Sequence, residues 1–260
     1  MLGLQFDTEC STAQFEDLDA GAAKIRAVME RGSPEEIAAL WHQLDVSAIY
    51  HDCALEGQVL SPEELSAAFD TRAVAVPDAA RAPLYGALRS HRSAYDLVRQ
   101  VAAARELSFS LDLFKQFHQL FAADPAEAKA GRFRAETPLH RSYFHEICEP
   151  ENIAASMRKL VAWLNDPNEF GELHPVEWAS RFHRAFMRVF PYTDTSGKVG
   201  RAVMNAILVH HGYLPAIIHA TERQRYYEAL RGGQQGFTEL VVESALASLE
   251  AAARFLKRGA

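Results

Sequence analysis

Phe190-Pro191-Tyr192-Thr193-Asp194-Thr195-Ser196-Gly197-Lys198-Val199-Gly200-Arg201 sets a polar turn between two apolar, helically spaced stripes. Upstream, Val176, Ala179, Phe182, Phe186 and Val189 recur at helical steps, and Pro191 ends that segment. Downstream, Val199, Val203 and Ile207 lead to Gly212, which predicts a helix over Lys198 to His211 with a glycine stop. Helix, polar turn, helix is therefore the unit from which the rest is read. A turn of this kind offers unpaired backbone N–H groups and the positive end of a helix dipole to an anion. Lys198 and Arg201 add two cations, while Asp194 is a hard oxygen ligand for a divalent ion. The alternative is a helix capped by Asp194 or Ser196, with both cations in solvent.

Working outward, the chain reads as helical nearly throughout. Ser33-Pro34-Glu35-Glu36 and Ser61-Pro62-Glu63-Glu64 are two helix starts of the same design, each with a capping serine, a first-turn proline and a glutamate three residues after the serine. They predict helices over Pro34 to Leu55 and Pro62 to Phe69, the first stopped at Gly57. Stripes at Leu88, Tyr95, Val98 and Val101, then at Leu113, Phe114, Phe117, Leu120 and Phe121, predict two more. Ile153, Met157, Leu160, Val161 and Leu164 mark another, and the last two lie around Tyr226 and from Thr238 to Leu256. Only Arg132 to Phe144 suits a small strand pair. The expected class is all-α, a helical bundle with one β-hairpin flap. A helical extension over 1–105 precedes a core over 106–260.

Composition narrows the partners. Hydrophobic residues make up 48% and charged residues 23%, near globular averages. A net charge of -7, from 27 basic and 34 acidic residues, supplies no broad positive surface for a nucleic-acid backbone. Three widely spaced cysteines, Cys10, Cys53 and Cys148, suit reduced thiols better than disulfides or a zinc site. The first residues are acidic rather than basic and apolar, and no run is long enough to span a bilayer. The expectation is a cytoplasmic protein without nucleic-acid or membrane partners, with a homodimer permitted.

The turn and its flanks resemble the Fic/Fido family, whose motif is written HPFxDGNGRxxR. Pro191, Asp194, Gly197 and Arg201 match it. The likeness continues through Phe182-His183-Arg184-Ala185-Phe186, Met204-Asn205, His211-Gly212-Tyr213-Leu214-Pro215 and, upstream, Gly131-Arg132-Phe133-Arg134, covering roughly residues 110 to 245. The resemblance implies a Fic fold and a loop that handles a nucleotide such as ATP with Mg²⁺, Asp194 holding the metal. Ser196, Gly197, Lys198 and Arg201 would hold phosphate, and a protein acceptor would dock through the flap.

The departures bear on chemistry. Where the family has the histidine that takes the acceptor's proton, this chain has Phe190. Phenylalanine has no lone pair, a change that ordinarily removes a factor of roughly a hundred to ten thousand. Standard AMP transfer is therefore not expected. Thr195 and Ser196 replace a glycine and an asparagine, and Lys198 replaces an arginine. A β-branched Thr195 resists a positive φ, so the loop is expected to be reshaped if the glycine needs one.

Candidates for a substitute base are Asp194, Tyr192 and the flap residues His140, Tyr143 and His145, of which the histidines are expected at the surface. His183, seven residues before Phe190, lies about 10 Å away along the helix and is expected to be packed. Finally, Asp52-Cys53-Ala54-Leu55-Glu56-Gly57 resembles the family's inhibitory segment S/TxxxEG/N, with Asp52 at the hydroxyl position. By that resemblance Glu56 pairs with Arg201 and gates the nucleotide. Three functions stay open: a nucleotidyl- or phosphoryl-group transferase, or a related biosynthetic enzyme, with non-standard chemistry; an inactive module that binds a nucleotide or peptide; or a structural helical dimerisation protein whose loop is a relic.

Overall fold

The computed structural model describes residues 12–69, 82–122, 131–138 and 145–259. Helix α1 (Thr12–Met29) leads into α2 (Pro34–Leu55), α3 (Pro62–Phe69) and α4 (Ala82–Ala102). Next come α5 (Leu111–Phe121), α6 (Pro150–Leu164), the single turn α7 (Pro167–Phe170) and α8 (Pro175–Val189). Helix α9 (Ser196–His210), a 3₁₀ turn over Ala220–Glu222, α10 (Arg223–Arg231) and α11 (Gln234–Gly259) close the chain. The fold is all-α.

Both predicted serine caps are present. Ser33 Oγ accepts from the Glu36 amide at 3.2 Å while Glu36 accepts from the Ser33 amide at 2.8 Å. Ser61 and Glu64 repeat the exchange at 3.2 and 2.9 Å. Each box satisfies two of the four orphan donors that every helix start leaves, which is why α2 and α3 begin where the sequence says they should. Gly57, at φ 91°, takes the left-handed turn that stops α2.

Two expectations change. Among the described residues there is no strand: 131–138 run as turns and extended coil, and the rest of the predicted hairpin, with His140 and Tyr143, lies outside the described residues. Helix α9 begins at Ser196, two residues before the predicted start, because Ser196 and Gly197 already carry helical backbone. Helix α1 and the single turn α7 escaped prediction.

Helix α9 is the axis of the fold. Every residue from Ser196 to Leu208 is buried, enclosed by α8, α4 and α5. Helix α11 covers α8 and α2, and α1 lies on α11. One apolar cluster runs from Leu18 to Ala252 without a break at residue 105. Within it the fully buried ring of Phe114 stacks on Phe186 at 5.4 Å and tilts against Phe182 at 6.0 Å. No helix of the described residues is long and apolar enough to cross a membrane. Truncating Phe114 to alanine removes the ring that joins α5 to α8. It should cost about 3–5 kcal/mol, read as a lowered urea midpoint at unchanged m-value.

Candidate functional site

The site forms where the C-terminal end of α2 meets the N-terminal end of α9. Arg201, one turn into α9, is 3% exposed and reaches three elements. Its Nε donates to Asp52 Oδ1 at 2.5 Å, its Nη2 to Glu56 Oε1 at 3.4 Å and its Nη1 to the Tyr226 hydroxyl at 3.3 Å. The guanidinium also lies 5.7 Å from the centre of the Tyr226 ring. Asp52 and Glu56 sit four residues apart on α2, one turn of helix, so both carboxylates face the same partner. Asp52 accepts a second, short bond from the buried Tyr95 hydroxyl of α4. Burial alone would lower the Arg201 pKa, but the charge of Asp52, then Tyr226 and Glu56, raises it well above its ordinary value. Arg201 is a fixed internal cation.

The pairing of Glu56 with Arg201 is thus present, and Asp52 joins it at shorter range. Asp52 was not among the expected site residues, although its sequence signal, a carboxylate four residues before Glu56, was available. Glu56 does more than pair. Its Oε1 lies only 2.2 Å from where a Cβ on Gly197 would stand, and the Arg201 Nη1 is 3.0 Å from the same point. Only glycine admits that contact. The chain's own carboxylate therefore rests on the first turn of α9, where an anion would be drawn by the helix dipole.

Lys198 is 7% exposed and no hydrogen bond or ion pair holds its ammonium among the described residues. Its charge acts on Cys53 of α2 and His91 of α4, so it faces the same helix as Arg201. Ser196 is committed locally: its hydroxyl accepts from the Tyr192 amide at 2.8 Å and donates to the Tyr192 carbonyl at 2.6 Å. Thr195 sits at φ -118°, a value open to β-branched residues, so the loop needs no glycine there. Its hydroxyl shares a 2.7 Å hydrogen bond with His118 Nδ1, and the His118 ring stacks 4.0 Å over Tyr192. His118 of α5 went unpredicted, because a lone polar residue on an amphipathic stripe does not announce its partner. Burial lowers its pKa, while the charge of Asp194 opposes the shift.

Asp194 is exposed at the tip of the turn. Among the described residues no three histidine, cysteine or carboxylate groups gather as a metal cage. A single exposed carboxylate beside the first turn of α9 fits Mg²⁺, which keeps several waters and needs few protein ligands.

Phe190 is fully buried and holds φ 46°, ψ 62°, the one left-handed non-glycine among the described residues. Three bonds keep the backbone there. Its amide donates to Phe186 O at 2.8 Å, its carbonyl accepts Arg134 Nε at 2.7 Å, and the Arg134 amide donates to Pro191 O at 2.8 Å. The remaining Arg134 nitrogens reach the carbonyls of Glu136, at 3.0 Å, and Cys148. His145, expected at the surface, is 4% exposed. It donates from Nε2 to Met187 O at 2.9 Å, and its ring meets Phe190 edge-on at 6.2 Å. The reason is the Arg134 clamp, which pulls the chain around Cys148 onto the end of α8. His183 is packed as expected. It shares a 2.9 Å bond with Tyr226 and stacks on Phe237.

Burial, then the charge of Arg201, pushes the His183 pKa down to about 3. Burial, then Lys198, takes His91 to about 3, and burial, then His219, takes His51 to about 4. Each is neutral in the fold and protonates near pH 6.5 when unfolded, so its contribution is complete above pH 6.5 and shrinks as the pH falls. Stability should decline by up to about 1.4 kcal/mol per pH unit for each such histidine between pH 6.5 and 4. In urea titrations across that range, His183→Gln should give a shallower decline than the parent protein.

Residues 108–208 match the Fic/DOC family. The sea anemone Nematostella vectensis has a protein named "Protein adenylyltransferase Fic", 28% identical over 190 residues, 72% of this chain and 43% of that protein. The Caenorhabditis elegans "Protein adenylyltransferase fic-1" is 28% identical over 218 residues, 78% and 40% of the two. The chain thus spans about two fifths of the curated relatives it matches. Among solved structures, a Fic-domain signalling protein from Bacteroides thetaiotaomicron superposes with TM-score 0.79 at 19% identity, covering 94% of this chain and 98% of that one. A C. elegans Fic-1 fragment gives 0.77 at 22%, covering 96% and 74%. At these identities the structural likeness speaks to the fold.

Proposed function

Because residues 108–208 match the Fic/DOC family, we propose that the first turn of α9 binds the phosphate of a nucleotide or other phosphorylated small molecule and that the protein transfers a nucleotidyl or phosphoryl group without a histidine base at position 190. The observation that carries this reading is the Glu56 carboxylate resting on Gly197 between α9 and Arg201. A carboxylate already satisfied there marks a place for negatively charged oxygen, and a phosphate oxygen can exchange with it. The relatives' names as adenylyltransferases agree with such a ligand.

In the liganded protein the α9 amides, Lys198 and Arg201 hold the anion, with Arg201 still braced from α2 and α10. Glu56 has to leave Gly197 first, so it gates the site. Asp194 is the residue to hold Mg²⁺, which would neutralise charge on the phosphate oxygens when bound. Phe190 supplies no proton acceptor, so the acceptor must be one that needs little help in losing its proton, or another group must take it. His145 lies beside Phe190 but is buried and bonded to Met187.

A second reading, a binding module without catalysis, is favoured by the Phe190 ring itself, which is fully enclosed where a base would have to meet solvent and acceptor. The Phe190 backbone is left-handed through bonds that involve no ring atom. Phe190→His therefore asks whether the missing base is all that separates the two readings.

Calorimetric titration of ATP and AMP, with and without Mg²⁺, should give heat with the parent protein and none with Arg201→Ala. Equal binding by both would remove Arg201 from the site, and no binding by either the parent or Glu56→Ala would sink the phosphate reading. With labelled ATP, Phe190→His should raise AMP transfer to the protein itself or to a model acceptor by about a hundredfold or more.

A further inference from the structure

The polar turn before α9 is held from outside by a side chain of another helix. His118 stands one turn after the buried Phe114 of α5, at the edge of that helix's apolar stripe, and is half-buried. Its ring is fixed on two sides. It lies flat on Tyr192, with 4.0 Å between centres and 8° between planes, and its Nδ1 shares the 2.7 Å hydrogen bond with Thr195 Oγ1. These contacts bracket Thr193 and Asp194, so the imidazole is clamped to the turn and cannot swing away from it. No hydrogen bond holds Nε2 among the described residues.

Two tautomers satisfy the bond to Thr195, because a hydroxyl both donates and accepts. When Nδ1–H donates to Oγ1, Nε2 carries an unused lone pair. Burial lowers the His118 pKa, against the charge of Asp194, which leaves the ring uncharged near neutral pH. Other groups around the turn are less able to take a proton. The Tyr192 phenol is buried, and that burial pushes its pKa up, so it keeps its own proton. His145 is buried and donates from Nε2 to Met187 O, while His183 is enclosed between Tyr226 and Phe237.

We propose that His118 is a catalytic residue, the proton acceptor that position 190 lacks: its Nε2 takes the proton of the hydroxyl that receives the nucleotidyl group, while Thr195 and Tyr192 hold the ring in place. This rests on the phosphate reading above. For AMP transfer from ATP, the hydroxyl oxygen forms a bond to the α-phosphorus as its proton passes to Nε2. The bond from that phosphorus to the bridging oxygen breaks, and its electron pair leaves with pyrophosphate. The imidazolium then gives the proton to solvent, which reaches a half-buried ring.

The test is pyrophosphate release from ATP with Mg²⁺, which reports AMP transfer to water and to the protein's own hydroxyls alike. It is run in the Glu56→Ala background, which clears the carboxylate from Gly197. His118→Asn puts an amide where Nδ1 stood, able to keep the bond to Thr195, and removes Nε2. It should lower release by about a hundredfold or more, with the calorimetric affinity for ATP held within about threefold. Adding Phe190→His supplies a second proton acceptor, and there the same His118→Asn change should cost less than about tenfold. A purely structural role for His118 would make the two losses equal.

Release indifferent to His118→Asn overturns the proposal. An equal loss with and without Phe190→His does so too, as does a Glu56→Ala protein that binds ATP and releases nothing; each leaves the phosphate reading standing. Should His118→Asn fail to fold by circular dichroism, His118→Gln takes its place in the comparison, and a fold lost in both assigns His118 to structure and overturns the proposal. Absence of ATP binding by Glu56→Ala overturns the phosphate reading and takes this proposal with it.

Discussion

A guanidinium sealed inside a helical bundle dictates what surrounds it. Arg201 carries a permanent charge at 3% exposure, and a charge so placed is tolerable only when paired and hydrogen-bonded on all sides. Asp52 and Glu56 on α2, Tyr226 on α10 and, one bond further, Tyr95 on α4 and His183 on α8 meet that demand. Five helices are held in register by one side chain. The apolar cluster supplies the mass of the fold, and Arg201 specifies how the helices around α9 are set.

The same constraint shapes the chemistry. The last turn of α2 is fixed by the pair to Arg201, by Arg223 donating to Leu55 O at 2.9 Å and by the Ala220 amide donating to His51 at 3.1 Å. That turn delivers Glu56 onto Gly197. The contact and the packing of α2 are therefore set together, and the turn before α9 is built rigidly enough to receive it. Ser196 folds back on Tyr192, Thr195 ties to His118, and Phe190 is locked left-handed.

Local signals in the sequence were the reliable ones. The Ser-Pro-Glu-Glu starts gave α2 and α3 to the residue, because a capping box is satisfied within four residues and owes nothing to tertiary context. The two-residue error at α9 arose because Ser196 and Gly197 are weak helix formers that the fold nonetheless holds helical. Helix α1 escaped because its buried stripe is only Leu18, Ala22 and Ile25 within a polar segment. Nonlocal partners were the least legible. Nothing near His118 points to Thr195, 77 residues away, and Asp52 read as a replaced hydroxyl rather than as the nearer carboxylate on Arg201. The expectation about Thr195 failed for a similar reason: the left-handed residue of the loop is Phe190, not Thr195.

Arg134 joins three carbonyls from separate stretches of chain, Phe190, Glu136 and Cys148, while its own amide holds Pro191. The segments on either side of residues 139–144 are thereby moored to the same turn that precedes α9. A pull on those segments travels through one stiff, planar group to the carbonyl just ahead of Pro191, with no soft linkage to absorb it. A partner that seizes this part of the chain has a mechanical line to the turn before α9, and the turn can report back along it.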